Sequence, residues 1–219
     1  LLDCVTSDDR YVISTFYDNP QDANDRYWGD VYRIENRPGG TIVKIADRQG
    51  DGFFKEVRAN PHYPAWLVAK RSQGTLAGWW AMDVEGNHLQ RLETFDNSGA
   101  HGDWVSDGSG FVVGNGKPQV FPFDGDSFGS DYEVDTTSVG DISNIGFEDP
   151  LMVASGDGWD RSLFLLDLVR GASTKITYAL DGKIDNTDED LSGSTDNDVH
   201  GSPDATKIVF RTNYNIQNH

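Results

Sequence analysis

Two segments of the chain repeat one another, and this internal repeat restricts the fold more than any other feature of the sequence. The first copy runs from His101 to Val113 and the second from Asp198 to Phe210. Aligned on Asp107 and Asp204, both copies show a polar turn followed by an apolar strand. A repeat of this kind predicts that each copy is one structural unit and that neighbouring units stack to bury a shared core.

Fainter copies of the turn and strand occur near residues 9, 64 and 149. Together with the copies at 107 and 204, the turns are spaced by about 42 to 55 residues, which is the length of a four-stranded blade. After each turn, an apolar strand ends in a turn rich in Gly, Asn or Asp, and a further strand follows. No segment repeats apolar residues at helical spacing over ten positions.

These patterns predict an all-β fold, a β-propeller of four-stranded antiparallel blades. We expect a single propeller domain over residues 1–219. Its four blades are predicted at approximately 1–50, 51–97, 98–138 and 139–182, with part of a fifth at 195–219. Because the last copy has only its first two strands, we expect the chain to be a fragment of a larger propeller.

Charge narrows the range of partners. The formal net charge is −18 and the isoelectric point is near 4.4, so the surface repels nucleic acid and anionic membranes. No run of 18 apolar residues is present, and we predict no membrane span. Cys4 is the only cysteine, so no internal disulfide forms. The sequence leaves the oligomeric state open.

Three of the five histidines, His62, His101 and His200, fall on predicted first strands just before a hairpin. The first strand of each blade lines the central channel of a propeller, so these imidazoles are expected to converge on one mouth. In the repeat alignment His101 matches Asp198 and His200 matches Asp103, which gives each strand one imidazole and one carboxylate on the same face. That pair suits a metal site or acid–base chemistry. The alternative is a histidine that only hydrogen-bonds within its own blade.

Arginine and aromatic residues supply candidates for substrate binding. The planar guanidinium groups of Arg71 and Arg211 suit a substrate carboxylate, with surface ion pairs as the alternative. Trp104, Tyr63 and Tyr214 can stack on sugar faces, with packing in the core as the alternative.

Other chemistries find less support in the sequence. There is no Gly-x-Ser-x-Gly nucleophile elbow and no glycine-rich phosphate loop. The acidic segments 123–131 and 181–198 are predicted to be solvated loops, with a calcium site as the alternative in each. The acidic residues of 181–198 lack the spacing of an EF-hand loop.

Three segments of the chain resemble a known protein family. Residues 101–116, with a Val-Ser-Asp-Gly turn and a Val-Val-Gly-Asn-Gly exit, resemble a blade of oligogalacturonate lyases and their TolB-like relatives. Residues 198–213 look like the terminal blade of that family, and 162–167 are similar to its connecting strand. The resemblance lies within residues 78–214. It implies a divalent metal at the propeller mouth, with a separate histidine and an arginine at the scissile bond; the propeller ulvan lyases similarly use histidine pairs with tyrosine and arginine.

The resemblance implies a carbon–oxygen lyase that cleaves a uronate-containing oligo- or polysaccharide by β-elimination. A cation or arginine pair would neutralise the uronate carboxylate, and His101 would remove the C5 proton. A divalent ion (Mn, Ca or Zn) is the expected cofactor, with no organic cofactor. The predicted site residues are His101, His62 and Tyr63 for catalysis, Arg211, Arg71, Trp104 and Tyr214 for substrate binding, and His200 and Asp198 for the metal.

Two other functions fit the same sequence. One is a non-catalytic TolB-like propeller that binds a protein or glycan partner, and the other is the propeller part of a larger hydrolase. We predict a periplasmic or secreted location.

Overall fold

The computed structural model shows only β-strands as regular structure in the part of the chain that it describes. The described residues are 3–16, 29–47, 52–72, 74–94, 101–114, 116–135, 139–144, 151–156, 163–177, 199–201 and 206–210. Over these ranges there is no helix of the length and apolar character that crossing a membrane requires. The chain divides into two compact units, unit 1 at Leu1–Gly99 and unit 2 at Ala100–His219.

Unit 1 contains two four-stranded sheets in which each strand pairs antiparallel with the next one in sequence. Sheet 1 consists of β1 (Cys4–Val5), β2 (Tyr11–Phe16), β3 (Asp30–Glu35) and β4 (Ile42–Ala46). Sheet 2 consists of β5 (Phe53–Ala59), β6 (Trp66–Ser72), β7 (Gly78–Asp83) and β8 (Gln90–Thr94).

Unit 2 contains two more sheets of the same kind and one pair of strands. Sheet 3 consists of β9 (His101–Trp104), β10 (Gly110–Gly114), β11 (Gln119–Pro122) and β12 (Tyr132–Glu133). Sheet 4 consists of β13 (Val139–Asn144), β14 (Leu151–Gly156), β15 (Leu163–Asp167) and β16 (Ala172–Thr177). Sheet 5 consists of β17 (Val199–Gly201) and β18 (Ile208–Phe210).

Four consecutive strands in meander order are the topology of a propeller blade. The predicted fold class, an all-β chain with four complete blades and part of a fifth, is therefore confirmed. Its extension as one domain over residues 1–219 stays a prediction.

The hairpin registers confirm the repeat alignment. In sheet 3, Asp103 pairs with Val112 across β9 and β10. In sheet 5, His200 pairs with Val209 across β17 and β18. The alignment of Asp107 with Asp204 also aligns Asp103 with His200 and Val112 with Val209. The two copies therefore have equivalent strand pairing.

Sheet 2 has an equivalent hairpin in a less obvious sequence, with a turn that is one residue longer. The turn of sheet 3 is closed by the Val105 amide, which donates to the Gly110 carbonyl at 2.8 Å, and the Asn60 amide donates to the Trp66 carbonyl at 2.9 Å in sheet 2. His101 precedes Val105 by four residues, and Glu56 precedes Asn60 by four residues. Glu56 of β5 is therefore the counterpart of His101 of β9. Arg58 likewise takes the position of Asp103.

Each unit buries an apolar core between its four-stranded sheets, because alternate side chains of a strand point to one face. In unit 1, the core residues of sheet 1 are Ile13, Val31 and Ile45, and those of sheet 2 are Phe54, Val57, Leu67, Ala69, Met82 and Val84. In unit 2, those of sheet 3 include Val112, Val120 and Val134, and those of sheet 4 include Ile142, Met152, Ala154, Phe164 and Leu166.

The first strands of neighbouring sheets lie side by side within each unit. In unit 1, β1 contacts β5, and in unit 2, β13 contacts both β9 and β17. In unit 2 this arrangement brings the Asp103 side chain of β9 against Ser143 of β13.

Candidate functional site

The first strand of sheet 3 presents an imidazole and a carboxylate on one face. His101 begins β9 and is half-buried, and Asp103 follows two residues later. Since side chains two apart on a strand point to the same side, both side chains lie on the face that carries Val112. That face belongs to the core shared with sheet 4, so His101 and Asp103 are directed towards the next sheet.

Asp103 connects the two sheets at this edge. Its Oδ2 accepts a hydrogen bond of 3.5 Å from the Ser143 hydroxyl on β13, at the long limit for such a bond, and its Oδ1 accepts one of 2.9 Å from the Trp104 amide. Ser143 is buried. The carboxylate is thus held by partners on both sides, while His101 precedes it on the same strand.

Gly102, between the two, is required by packing. A Cβ atom at this position would lie 2.7 Å from Cε1 of Phe111 and 3.0 Å from the Val112 carbonyl oxygen. The absence of a side chain therefore lets the Phe111 ring cover the strand on the side opposite to the polar pair.

The predicted metal-binding strand lies in the same row of first strands. His200 is the central residue of β17, which contacts β13 just as β9 does. His200 occupies the register of Asp103, as the repeat predicts. Asp198, Arg211 and Tyr214 fall outside the described residues.

A metal site is not complete in the described part of the chain. Among those residues, no three His, Cys, Asp or Glu side chains come together in an arrangement that could hold a metal ion. The set predicted for the metal, His200 with Asp198, includes a residue beyond those described, so the metal remains a prediction.

Trp104 belongs to the core. Its indole is fully buried, and its ring meets Phe111 and Phe123 edge-on, each at 5.6 Å between centroids. Phe128 packs against the same ring at 5.7 Å. Of the two roles left open by the sequence, sugar stacking and core packing, the structure supports packing.

The expectation that His62 lies on a first strand is wrong. Strand β5 ends at Ala59, and His62 is exposed in the turn that leads to β6. The buried side chain of Asn60 organises this turn, since its Oδ1 accepts 2.9 Å hydrogen bonds from the amides of both His62 and Tyr63. Pro61 and Pro64 flank the pair and lack the N–H group that a continued strand would use.

Arg71 lies at the other end of sheet 2. Strand β6 runs back from the His62 turn, so Arg71 and His62 are separated by most of a seven-residue strand, or roughly 20 Å. The Arg71 side chain is buried, with its guanidinium carbon 5.4 Å from the centroid of the Phe54 ring. Burial lowers the pKa of Arg71, and the neighbouring Arg91 lowers it further. His62 and Tyr63 therefore do not share a site with Arg71.

The first strand of sheet 2 carries a charged network that the sequence reading missed. Lys70, whose side chain is 1% exposed, places Nζ 3.3 Å from Oε1 of Glu56 and 5.7 Å from the Trp79 ring centroid. Arg58 approaches the other oxygen of Glu56 at 3.8 Å. The Glu-x-Arg spacing on one strand face, with a lysine opposite, is the signal that could have revealed it.

Asp3, the residue before β1, is a second carboxylate that interacts with Arg58. Its Oδ2 accepts hydrogen bonds from the Thr15 amide at 2.7 Å and from the Thr15 hydroxyl at 3.1 Å. Burial raises the pKa of Asp3 above its usual value; the Thr15 donors and the positive charge of Arg58 act against that rise. The polar side chains of Asp3, Glu56 and Lys70 are thus already engaged with neighbouring groups.

Comparisons with known proteins identify the fold alone. No family model matches the chain, and no curated protein matches it. Among solved structures, an oligogalacturonate lyase in complex with manganese has 16% sequence identity and a TM-score of 0.57, over 83% of this chain and 50% of its own.

Two further structures give the same result. TolB from Acinetobacter baumannii has 16% identity and a TM-score of 0.54, over 81% of this chain and 43% of its own. A puromycin hydrolase S511A mutant complexed with PGG has 12% identity and a TM-score of 0.53, over 81% of this chain and 29% of its own. The chain therefore spans half or less of each of these proteins, and they share its β-propeller fold.

Proposed function

We propose that unit 2 carries the active site of a polysaccharide lyase that cleaves a uronate-containing glycan by β-elimination. The observation that supports this most is the pairing of His101 with Asp103 on one face of β9, beside Ser143 of the neighbouring first strand. An imidazole next to a carboxylate at a strand edge is suited to take a proton from carbon. The shared fold with an oligogalacturonate lyase is consistent with this assignment but does not carry it.

The elimination removes one proton and breaks one C–O bond. His101 takes the proton from C5 of the uronate, and the electron pair of that C–H bond becomes the C4–C5 double bond as the bond from C4 to the glycosidic oxygen breaks. The leaving oxygen receives a proton from water or a tyrosine. Negative charge builds on the uronate carboxylate during proton removal, so a nearby cation lowers the barrier.

Arg211 is the candidate for that cation in unit 2. The buried position of Arg71 makes it a poorer candidate, because a substrate carboxylate could not reach its guanidinium without displacing the Phe54 packing. The divalent ion predicted at His200 and Asp198 would supply the same charge when bound. The described residues do not complete a metal site.

A direct test measures the unsaturated uronate product by its ultraviolet absorbance. The full chain is incubated with a panel of uronate polymers that includes polygalacturonate and ulvan, with and without added Mn²⁺, Ca²⁺ or Zn²⁺. We expect His101→Ala to lower the rate by about 10²- to 10⁴-fold, the usual contribution of a general base. His88→Ala is the matched control, because His88 is exposed in the β7–β8 turn of unit 1 and should leave the rate unchanged.

Two results would reject the lyase proposal. One is the absence of product from the unmodified protein on every polymer and with every metal. The other is a rate that His101→Ala leaves intact. Metal analysis of the purified protein, compared with that of His200→Ala, tests the cofactor separately.

A glycan- or protein-binding propeller is the second candidate. The internal engagement of the charges in unit 1 favours it, because those side chains stabilise the sheets rather than present reactive groups. A binding propeller would retain saccharide affinity in His101→Ala and release no unsaturated product.

A further inference from the structure

A shallow cavity of about 270 Å³ lies at one end of sheet 1, and the proposed elimination makes no use of it. It is formed by the turn between β1 and β2 and the turn between β3 and β4. Its lining residues are Asp9, Arg10, Tyr11, Glu35, Asn36 and Arg37. All of them belong to unit 1. The volume lies just below the range typical of drug-sized ligands, so the cavity suits a ligand of about one ring.

The two arginines provide cationic donors. The side chains of Arg10 and Arg37 are each 68% exposed. Arg37 donates from Nε and Nη2 to Oε2 of Glu35, at 3.0 and 2.7 Å, and Arg10 donates from Nη2 to the Tyr11 hydroxyl at 3.2 Å. A guanidinium has five N–H donors, so each arginine keeps further donors for a ligand carboxylate.

Acceptors lie in the same cavity. Asp9 and Glu35 contribute carboxylates, and the hydrogen bonds of the Thr41 amide and Arg37 lower the pKa of Glu35, which keeps it ionised. Asn36 donates from Nδ2 to the Asp9 carbonyl at 3.0 Å, which leaves its own side-chain oxygen as an acceptor. A ligand that fits must therefore carry hydroxyl donors as well as an anionic group.

Tyr11 provides a ring surface that is held in place. The guanidinium carbons of Arg10 and Arg33 lie 5.1 and 4.7 Å from the centroid of its ring. Arg33 is itself anchored, since it forms an ion pair with Glu85 and donates to the Val84 carbonyl at 3.2 Å. Arg33 thus links the Tyr11 ring at the floor of the cavity to the neighbouring sheet 2.

We propose that this cavity binds a single sugar-acid residue, with its carboxylate on Arg10 and Arg37 and its hydroxyl groups on Asp9, Glu35 and Asn36. Inorganic phosphate also matches the arginines, but its greater negative charge is repelled more strongly by the two carboxylates. The site is formed by residues of unit 1 alone, so it does not depend on whether unit 2 is a lyase.

The test is a calorimetric or NMR titration of the full chain with sodium D-galacturonate. We expect saturable binding that weakens by about tenfold or more in the double variant Arg10→Gln/Arg37→Gln, and similarly for the methyl ester of the sugar, which has lost its charge. The double variant Arg10→Lys/Arg37→Lys keeps the charge but not the planar fork. Its affinity for galacturonate should lie between those of the unmodified protein and of Arg10→Gln/Arg37→Gln.

Arg170→Gln is the matched control. Arg170 is 82% exposed and pairs with Asp167 at 3.2 Å in unit 2, so this variant removes a comparable exposed ion pair elsewhere. It should bind galacturonate as the unmodified protein does. Loss of exposed ion pairs costs little stability, and circular dichroism is expected to show folded protein for all the variants.

Four outcomes would overturn the proposal. They are no saturable binding of galacturonate, unchanged affinity in Arg10→Gln/Arg37→Gln, equal affinity for the methyl ester, and tighter binding of phosphate than of galacturonate. Loss of binding in His101→Ala with retention in the double variant would instead place the sugar acid at the unit 2 site.

Discussion

Strands β5 and β9 hold the same position in their sheets but carry different chemistry. Glu56 and Arg58 of β5 occupy the positions of His101 and Asp103 of β9, counted from the bond that closes each hairpin. The β5 pair is engaged with Lys70 in a network of fixed charges. The β9 pair combines a carboxylate with an imidazole, the side chain whose ordinary pKa is nearest neutrality.

The difference between β5 and β9 shows that the repeat preserves the backbone structure of the blade but not the side chains of its first strand. The turn and the strand pairing recur because they are backbone requirements of the blade. The polar side chains of the first strand can vary, since sheet 2 forms with Glu and Arg at these two positions and sheet 3 forms with His and Asp. A functional residue in one blade therefore cannot be transferred to another by repeat alignment alone.

The largest expected effect comes from breaking the β5 network. Glu56→Ala leaves the Lys70 ammonium buried without its nearest carboxylate, and loss of one partner of a buried pair costs about 3–5 kcal/mol. Chemical denaturation should show a correspondingly lower free energy of unfolding. Product formation per folded molecule should not change if the active site lies in unit 2.

A paired replacement sharpens that experiment. Glu56→Leu with Lys70→Met exchanges the ion pair for apolar side chains and should recover much of the lost stability, because a buried pair replaced as a whole is often neutral. If the double variant is as unstable as Glu56→Ala, the ion pair is not the source of the loss.

The second comparison concerns the residue between the two polar positions. Sheet 2 has Val57 there, packed in the core, and sheet 3 has Gly102 beneath the Phe111 ring. Gly102→Ala should lower the free energy of unfolding by about 1–3 kcal/mol, the usual cost of overpacking.

Phe111→Leu provides the matched rescue. Leu67 is the sheet 2 counterpart of Phe111 and leaves room for Val57. Adding Phe111→Leu to Gly102→Ala should therefore restore part of the stability, although the Val112 carbonyl stays close. Purely additive losses would show that the ring is not what requires a glycine.

Much of the fold was predictable from the sequence because hairpin turns leave local signals. Asp107 shows this directly, since its Oδ1 caps the turn by accepting a 2.9 Å hydrogen bond from the Ser109 amide. His62 was misplaced because its turn contains two prolines, and its organising group is an asparagine rather than an aspartate.

The candidate site was less predictable because burial is a property of the folded sheets. Trp104 and Arg71 are residue types that often bind substrates, and the sequence does not show that they are buried. Their burial is revealed by the packing of phenylalanine rings around them. The Lys70–Glu56 pair joins residues fourteen apart through strand pairing, a relation that depends on the register of β5 and β6.

The smallest expected effect is a pair of opposite pH dependences. Burial raises the pKa of Asp3 in unit 1, so its contribution to stability is fully present below the unfolded pKa and is lost as pH rises through the folded pKa. Asp3→Asn cannot ionise, and its stability should therefore improve relative to the unmodified protein as pH increases.

Asp124 in unit 2 should behave in the opposite way. The amides of Ser127 and Asp126 lower its pKa, so its contribution is present above the unfolded pKa and is lost as pH falls through the folded pKa. Asp124→Asn should lose stability relative to the unmodified protein as pH increases. Denaturation series between about pH 3 and 7 distinguish the two, since this window contains the ordinary titration range of a carboxyl. Slopes of the same sign would mean that burial does not dominate at Asp3, and that its Thr15 hydrogen bonds outweigh it.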